Sequence, residues 1–352
     1  MTVPAHPGKP SSGAGPTAAF IVNPTLVRDE ERFALRCRAA AAAHGWEPLF
    51  LATTRDDRGD GLARHAARAG ARLVFAVGGD GTVRACANAL AGTGARLAIV
   101  PRGTANLAAR ALGIPRRLDT ALAAGFGGEE RVIDLGVAEG AGFTAMAGIG
   151  LDAAVVDATR RLLKLRLGWI AYAEAGLAHL QGQPHRFTVR LDGGPPLERR
   201  ARSVVVGNAG LLPGGFALLP DARPDDGVLD AGILAPASLA GWLRVGFRVL
   251  THSRHQDHRL ERFRARRVEI TADAELPRQA DGEILAPGRS LTVTLRQAAL
   301  IVRVPARKAR PGAPLPDVDV DLRRMPERSV HRAVLDHRAD THDPAERQFG
   351  RQ

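Results

Sequence analysis

Four short apolar runs, each stopped by turn residues and followed by a helix-like segment, set the fold of the first third of this chain. The runs are AAFIVNP at 18–24, EPLFLATT at 47–54, ARLVFAV at 71–77 and RLAIVP at 96–101. Between them lie helical patterns at 28–44, ending at Gly45, at 59–70 and at 82–92; a fourth, TANLAARALG, begins at Thr104. Strands apolar along their whole length, alternating with helices, indicate a parallel sheet covered on both faces. The expectation is an N-terminal parallel α/β domain over 17–135, behind a Pro-, Gly- and Ser-rich leader at 1–16 read as disordered.

After about residue 130 the pattern changes. VIDLGVAE and GFTAMAGIG read as strands, 151–182 as helix, and then HRFTVRLDGG, RRARSVVVGNAG, GVLDAGILAP, ARRVEITAD, LPRQADGE, SLTVTLR and ALIVRVP as strands. One long helix is expected near 236–251. This predicts a C-terminal antiparallel β-sandwich-like domain over 136–297, with final strands near 298–305 able to return to the first domain. The charged, Pro-containing stretch 306–352 is expected to be disordered.

Composition removes several function classes. Two cysteines, Cys37 and Cys86, cannot make a disulfide scaffold. No run reaches ~18 apolar residues, and the N-terminus lacks the apolar core of a signal peptide, so a cytoplasmic location is expected. The net charge of +12 suits anionic partners, although the basic residues are nearly all arginine in an Ala- and Gly-rich chain, as coding bias would also produce. Aromatics are only 4% and no nucleic-acid-binding signature occurs, so nucleic acid is not expected as a partner.

Three segments carry candidate chemistry. In VFAVGGDGTV a buried strand runs into Gly78, Gly79, Asp80, Gly81 and Thr82 and then a helix. Glycines allow close backbone approach, and a helix N-terminus favours phosphate. Asp80 would repel a bare phosphate there but fits a bound Mg²⁺ or a ribose hydroxyl; a plain Asp-capped turn is the alternative. In IVPRGTANLAAR a second junction carries Gly103, Thr104 and Asn106, which can equally be helix-capping residues. Two such turns at the ends of parallel strands build a ligand crevice. In QADGEIL, Asp281 and Glu283 flank a glycine; on a strand their side chains would share one face, whereas Asp-Gly is also a common hairpin turn.

GGDGT, then PRGTAN, then a late DGE together resemble the diacylglycerol kinase catalytic-domain family, which includes bacterial lipid kinases, sphingosine kinases and ceramide kinases. The resemblance runs from about 18 to 305 and extends to Asn23-Pro24, AGIGLDAAV at 147–155 and PDARPDDGVLD at 220–230. It implies ATP and Mg²⁺ as cofactors and a lipid substrate at a membrane surface, and it leaves a homodimer open. Asn23, Thr54, Gly78, Gly79, Asp80, Gly81, Thr82, Gly103, Thr104 and Asn106 would then bind ATP. Asp281 would be the general base, with Glu283 holding Mg·ATP alongside Asp80. Asp226, with the backbone of Arg223 and Val228, would hold a structural Mg²⁺, supported by Asp134.

The chain departs from that pattern at Arg84 and Ala85, where a Glu is usual at the second position, at Leu107, where Asp is usual, and at Thr25-Leu26 after the first turn. An NAD kinase, which shares GGDGT, and a catalytically inactive lipid- or nucleotide-binding protein are the competing readings. Segments 159–181 and 242–250 mix basic and apolar residues and can either lie on anionic lipid or pack inside; the histidines at 252–258 read as an exposed loop.

Overall fold

The computed structural model describes residues 15–150, 184–210, 218–236, 247 and 259–306. The expected leader (but for its last two residues), the helix at 151–182, most of the helix near 236–251, the histidine loop and nearly all of the tail lie outside the described residues.

The four apolar runs are parallel strands: β1 (Thr17–Val22), β2 (Glu47–Ala52), β3 (Leu73–Gly78) and β4 (Arg96–Pro101), in the order β2-β1-β3-β4. β3 is buried at every position, as a central strand covered on both faces must be. Helix α1 (Glu30–Ala43) starts at Asp29, whose carboxylate accepts the Arg32 N–H, and carries Glu30 and Glu31 in its first turn. It covers one face of the sheet together with α5 (Leu118–Gly127), over a stack in which the Phe20 and Phe75 rings lie 4.5 Å apart. Helices α2 (Asp60–Arg68), α3 (Asp80–Leu90) and α4 (Leu107–Ala111) cover the other face.

Two differences from the sequence reading concern helices. The fourth helix begins only at Leu107, because Asn106 is left-handed (φ 49°) and cannot continue a helix. Helix α5 was not anticipated: LDTALAAGFG has almost no polar stripe and no side-chain cap to announce it.

The rest of the chain is antiparallel. β5 (Glu129–Ala138), β6 (Ala141–Phe143), β7 (Met146–Ile149), β8 (His185–Leu191), β9 (Leu197–Ala201), β10 (Ser203–Gly207), β11 (Leu229–Leu234) and β12 (Leu260–Ala265) are short. β13 (Arg267–Ala280) and β14 (Glu283–Val304) are long, each joining runs that the sequence reading kept separate. Their apolar faces pack a second core around Phe143, Phe187, Val204 and Val268. β14 ties the two halves: its end pairs parallel with β4 (Ile301 beside Arg96) while it also pairs antiparallel with β5 and β13. The observed fold is thus the expected α/β layer joined to an antiparallel, β-rich layer.

Candidate active site

The turns after β3 and β4 are built as one object. The N–H groups of Arg102 and Gly103 donate to the Gly78 carbonyl at 2.8 and 3.3 Å. A Cβ on Gly103 would stand 2.6 Å from the Gly79 Cα, and one on Gly79 would stand 3.3 Å from the Gly103 Cα, so the two backbones touch where only glycine fits. The turn after β1 joins them, with the Asn23 N–H on the Val77 carbonyl at 2.9 Å. Above Gly81, which is exposed, a Cβ would meet nothing within 4 Å among the described residues. The first turn of α3, whose N–H groups lie outside the helical ladder, is therefore open to an anion. Such a cradle could hold a phosphate group.

The polar residues at these turns mainly hold them in shape. Asp80 is the first residue of α3, yet its carboxylate caps α4, accepting the N–H groups of Asn106 at 2.9 Å and Leu107 at 2.5 Å. Asp80 thus clamps the two turns together. Asn106 donates to the Gly103 carbonyl at 2.6 Å. Asn23 accepts from the Thr25 N–H and hydroxyl. Thr82 is buried and folds back over Gly78. Thr54 lies in the loop after β2, its hydroxyl accepting the Asp57 N–H at 3.0 Å. Gly81 and Thr104 are exposed, with Gly79 and Gly103 half-buried between them.

Asp281 and Glu283 do not share a strand face. Asp281 and Gly282 both have positive φ (48° and 73°) and form the two-residue turn between β13 and β14, with Ala280 opposite Glu283. The local signal for an Asp-Gly hairpin was the correct one. The turn aims the Asp281 carboxylate inward. One oxygen accepts the Thr144 N–H at 2.7 Å and the Thr144 hydroxyl at 2.9 Å; the other accepts the N–H groups of Ala145 at 2.8 Å and Met146 at 3.0 Å. These four bonds explain why GFTAMAGIG, expected as one strand, breaks between β6 and β7. Burial pushes the Asp281 carboxyl above the usual aspartate range, and the four donors oppose that shift. Asp80 is also raised, by burial first, with the Asp281 charge adding to it; the pairing of Arg84 on α3 with Glu283 places the late hairpin beside the helix that follows the glycine turn.

Glu283 is held by two arginines. Arg84, on α3, pairs with it directly, and Arg58, from the loop before α2, stands 3.5 Å away. The sequence marked Arg84 only as a departure and had no signal for Arg58 or Thr144, since these contacts join segments more than 130 residues apart.

The residues expected around a structural Mg²⁺ are brought together, but not as a cage. Asp134 accepts the N–H groups of Gly227 at 2.8 Å and Ala298 at 2.7 Å. Asp226 accepts the Val228 N–H at 3.3 Å and pairs with Arg264, and Arg223 lies exposed on the same loop. Among the described residues no group of three or more His, Cys, Asp or Glu is arranged for a metal. The Asp226 and Asp134 carboxylates therefore already have protein donors, while the backbone carbonyls of Arg223 and Val228 belong to the same loop.

Beside that loop Asp230 is buried with one carboxylate oxygen unpartnered among the described residues, and its pKa is pushed up to about 6, by burial before any charge effect. The native state then holds a proton that the unfolded state has released, so stability falls as pH rises from about 4 to about 6. Asp230→Asn should remove that fall. Urea titrations should show the variant more stable than the parent by about 1–3 kcal/mol near pH 7.5 and no better near pH 4. An equal difference at both values would contradict the assignment.

Residues 17–138 match the diacylglycerol kinase catalytic domain, and 145–304 match the YegS C-terminal NAD kinase beta sandwich-like domain. A "Probable lipid kinase YegS-like" of Pseudomonas fluorescens (strain Pf-5) is 35% identical over 282 residues, covering 79% of this chain and 92% of that one. A "Diacylglycerol kinase" of Bacillus subtilis (strain 168) is 32% identical over 276 residues, covering 76% and 89%. In fold, the chain resembles the crystal structure of a diacylglycerol kinase from Bacillus anthracis (TM-score 0.64, 22% identity), covering 84% of this chain and 98% of that one.

Proposed function

This chain belongs to the diacylglycerol kinase-like family of lipid kinases, and from that premise we propose that it transfers the γ-phosphate of ATP to a hydroxyl of a diacylglycerol-like lipid. The observation that carries the reading is the pair of glycine turns packed backbone to backbone below an open helix N-terminus, with a buried carboxylate on the hairpin beside that helix. Phosphoryl transfer asks a protein mainly for positioning and for charge placed around the phosphates.

Gly79, Gly81, Gly103 and Thr104 would line the phosphates, while Asn23, Asp80 and Asn106 keep the three turns in register. Mg²⁺ would supply charge neutralisation; because Asp80 and Glu283 already face N–H and guanidinium donors, it would arrive on the nucleotide's phosphates rather than in a preformed cage. Asp281 is the candidate general base. Burial makes it more basic than an exposed carboxylate, and of its four donors only the Thr144 hydroxyl can rotate away without moving backbone. That rotation would free one lone pair to take the proton of the lipid hydroxyl.

A membrane surface suits the charge distribution. A cavity of about 560 Å³ beside the 24–26 turn is lined by Arg28, Arg32, Arg36, Arg102 and Arg116 with Asp29, and although Arg36 pairs with Asp119 the net charge remains basic and suits anionic headgroups. Among the described residues, no helix is long and apolar enough to cross a membrane.

The test is transfer of label from γ-labelled ATP, with Mg²⁺, to mixed vesicles of diacylglycerol and an anionic phospholipid, and in parallel to NAD. Labelled lipid without labelled NAD is expected. Labelled NAD alone would replace this reading with the soluble-dinucleotide one.

A further inference from the structure

The charges at the corner of the site do not balance for a polyanionic ligand. Three carboxylates, Asp80, Asp281 and Glu283, meet two guanidinium groups, Arg84 and Arg58, and both arginines are turned onto Glu283. Arg84 follows Asp80 by four residues on α3, so the two side chains share the helix face that rises from the glycine turn. It is largely buried, its Nε has no partner among the described residues, and the charges of Asp281 and Arg58 act on it besides that of Glu283. A triphosphate placed over Gly81 would add several negative charges beside these carboxylates. Among the described residues, Arg84 lies three positions after Gly81 on the same helix and Arg58 shares its Glu283 partner, while Arg116 donates to the Gly103 carbonyl at 3.4 Å on the other side of the turns. A guanidinium is planar, stays charged and forms bidentate bonds equally well with carboxylate and phosphate, so it can exchange one partner for the other.

We infer that Arg84, assisted by Arg58, binds the terminal phosphates of the nucleotide, and that Glu283 is the stand-in anion which holds this arginine pair in place until nucleotide arrives. The inference rests on the kinase reading above and adds two phosphate-binding residues to it. Arg84 is the principal one, since it projects from the helix whose N-terminus forms the cradle. Arg58 is mostly exposed and comes from a loop, so its share is smaller.

Calorimetric binding of a non-hydrolysable ATP analogue and of AMP to the full chain tests this without turnover. Arg84→Met should weaken analogue binding at least about tenfold and leave AMP binding within about twofold; Arg58→Met should act in the same direction but less, and Arg84→Lys should fall between Arg84→Met and the parent. In metal-free buffer, Glu283→Gln should tighten analogue binding, because the competing carboxylate is gone. Unchanged analogue binding by Arg84→Met, equal loss of AMP and analogue, or weaker metal-free binding by Glu283→Gln would each overturn the inference. If the unaltered chain binds no ATP analogue while remaining folded, the kinase reading itself fails, and a different result identifies that failure from the failure of the arginine exchange.

Discussion

Asp281→Asn is expected to lower the rate of lipid phosphorylation by about 10²–10⁴-fold, the usual contribution of a general base, and to destabilise the fold at the same time. The carboxylate is the shared acceptor of three backbone N–H groups and one hydroxyl. A carboxamide offers one oxygen in place of two and turns an NH₂ group towards donors. Buried donors left without acceptors cost about 1–3 kcal/mol each, so a loss of about 2–4 kcal/mol is expected. The left-handed backbone at this position is no obstacle, because Asn tolerates it. The pH profile separates the two effects. Activity of the parent should rise with pH along a limb set above the ordinary aspartate value, since burial raises Asp281. The asparagine variant should lose that limb. A variant that is less stable but keeps most of the parent's rate and the same limb would leave Asp281 as the anchor of residues 144–146 and nothing more.

The second large effect is expected at Gly103. A methyl there would lie 2.6 Å from the Gly79 Cα, and backbone faces it, so neither side can yield by rotating a side chain. Gly103→Ala must push the two turns apart, at a cost of about 1–3 kcal/mol. Displacement of this kind at a positioning element can lower turnover about 10²-fold. Gly81→Ala is the informative contrast. Its Cβ would meet nothing within 4 Å among the described residues, so stability should stay within about 0.5 kcal/mol of the parent. The methyl would nonetheless cover the first turn of α3, where the phosphate is placed, and nucleotide affinity should drop. Thermal unfolding and nucleotide binding, measured on both variants, check the pair. Gly81→Ala with full affinity would place the phosphates elsewhere.

The parallel half of the fold was legible because its strands are apolar from end to end: β3 reads LVFAVG and is buried throughout. The glycine turns were legible for the same reason, since they interrupt those runs. Helix α5 was not, because a helix covered by the Phe20–Phe75 stack on one side and by α1 and β14 elsewhere needs little polar stripe. The late acidic pair shows where local reading stops. Asp-Gly announced its hairpin correctly, but the same two residues could not say that Asp281 would break a strand 137 residues earlier by capturing its N–H groups. Arg84 was visible as an unusual residue after the glycine turn, while its partner Glu283 and its neighbour Arg58 became visible only once β14 had been laid beside the parallel sheet.

Hydrogen exchange of the backbone amides, with and without a non-hydrolysable ATP analogue and Mg²⁺, reads the position of the nucleotide directly. Slowed exchange should be concentrated at 79–84 and 103–107, with the hairpin at 280–284 responding as Glu283 changes partners. Protection confined to other segments, with these three unaffected, would show that the glycine turns are structural joints and that the phosphates bind somewhere else.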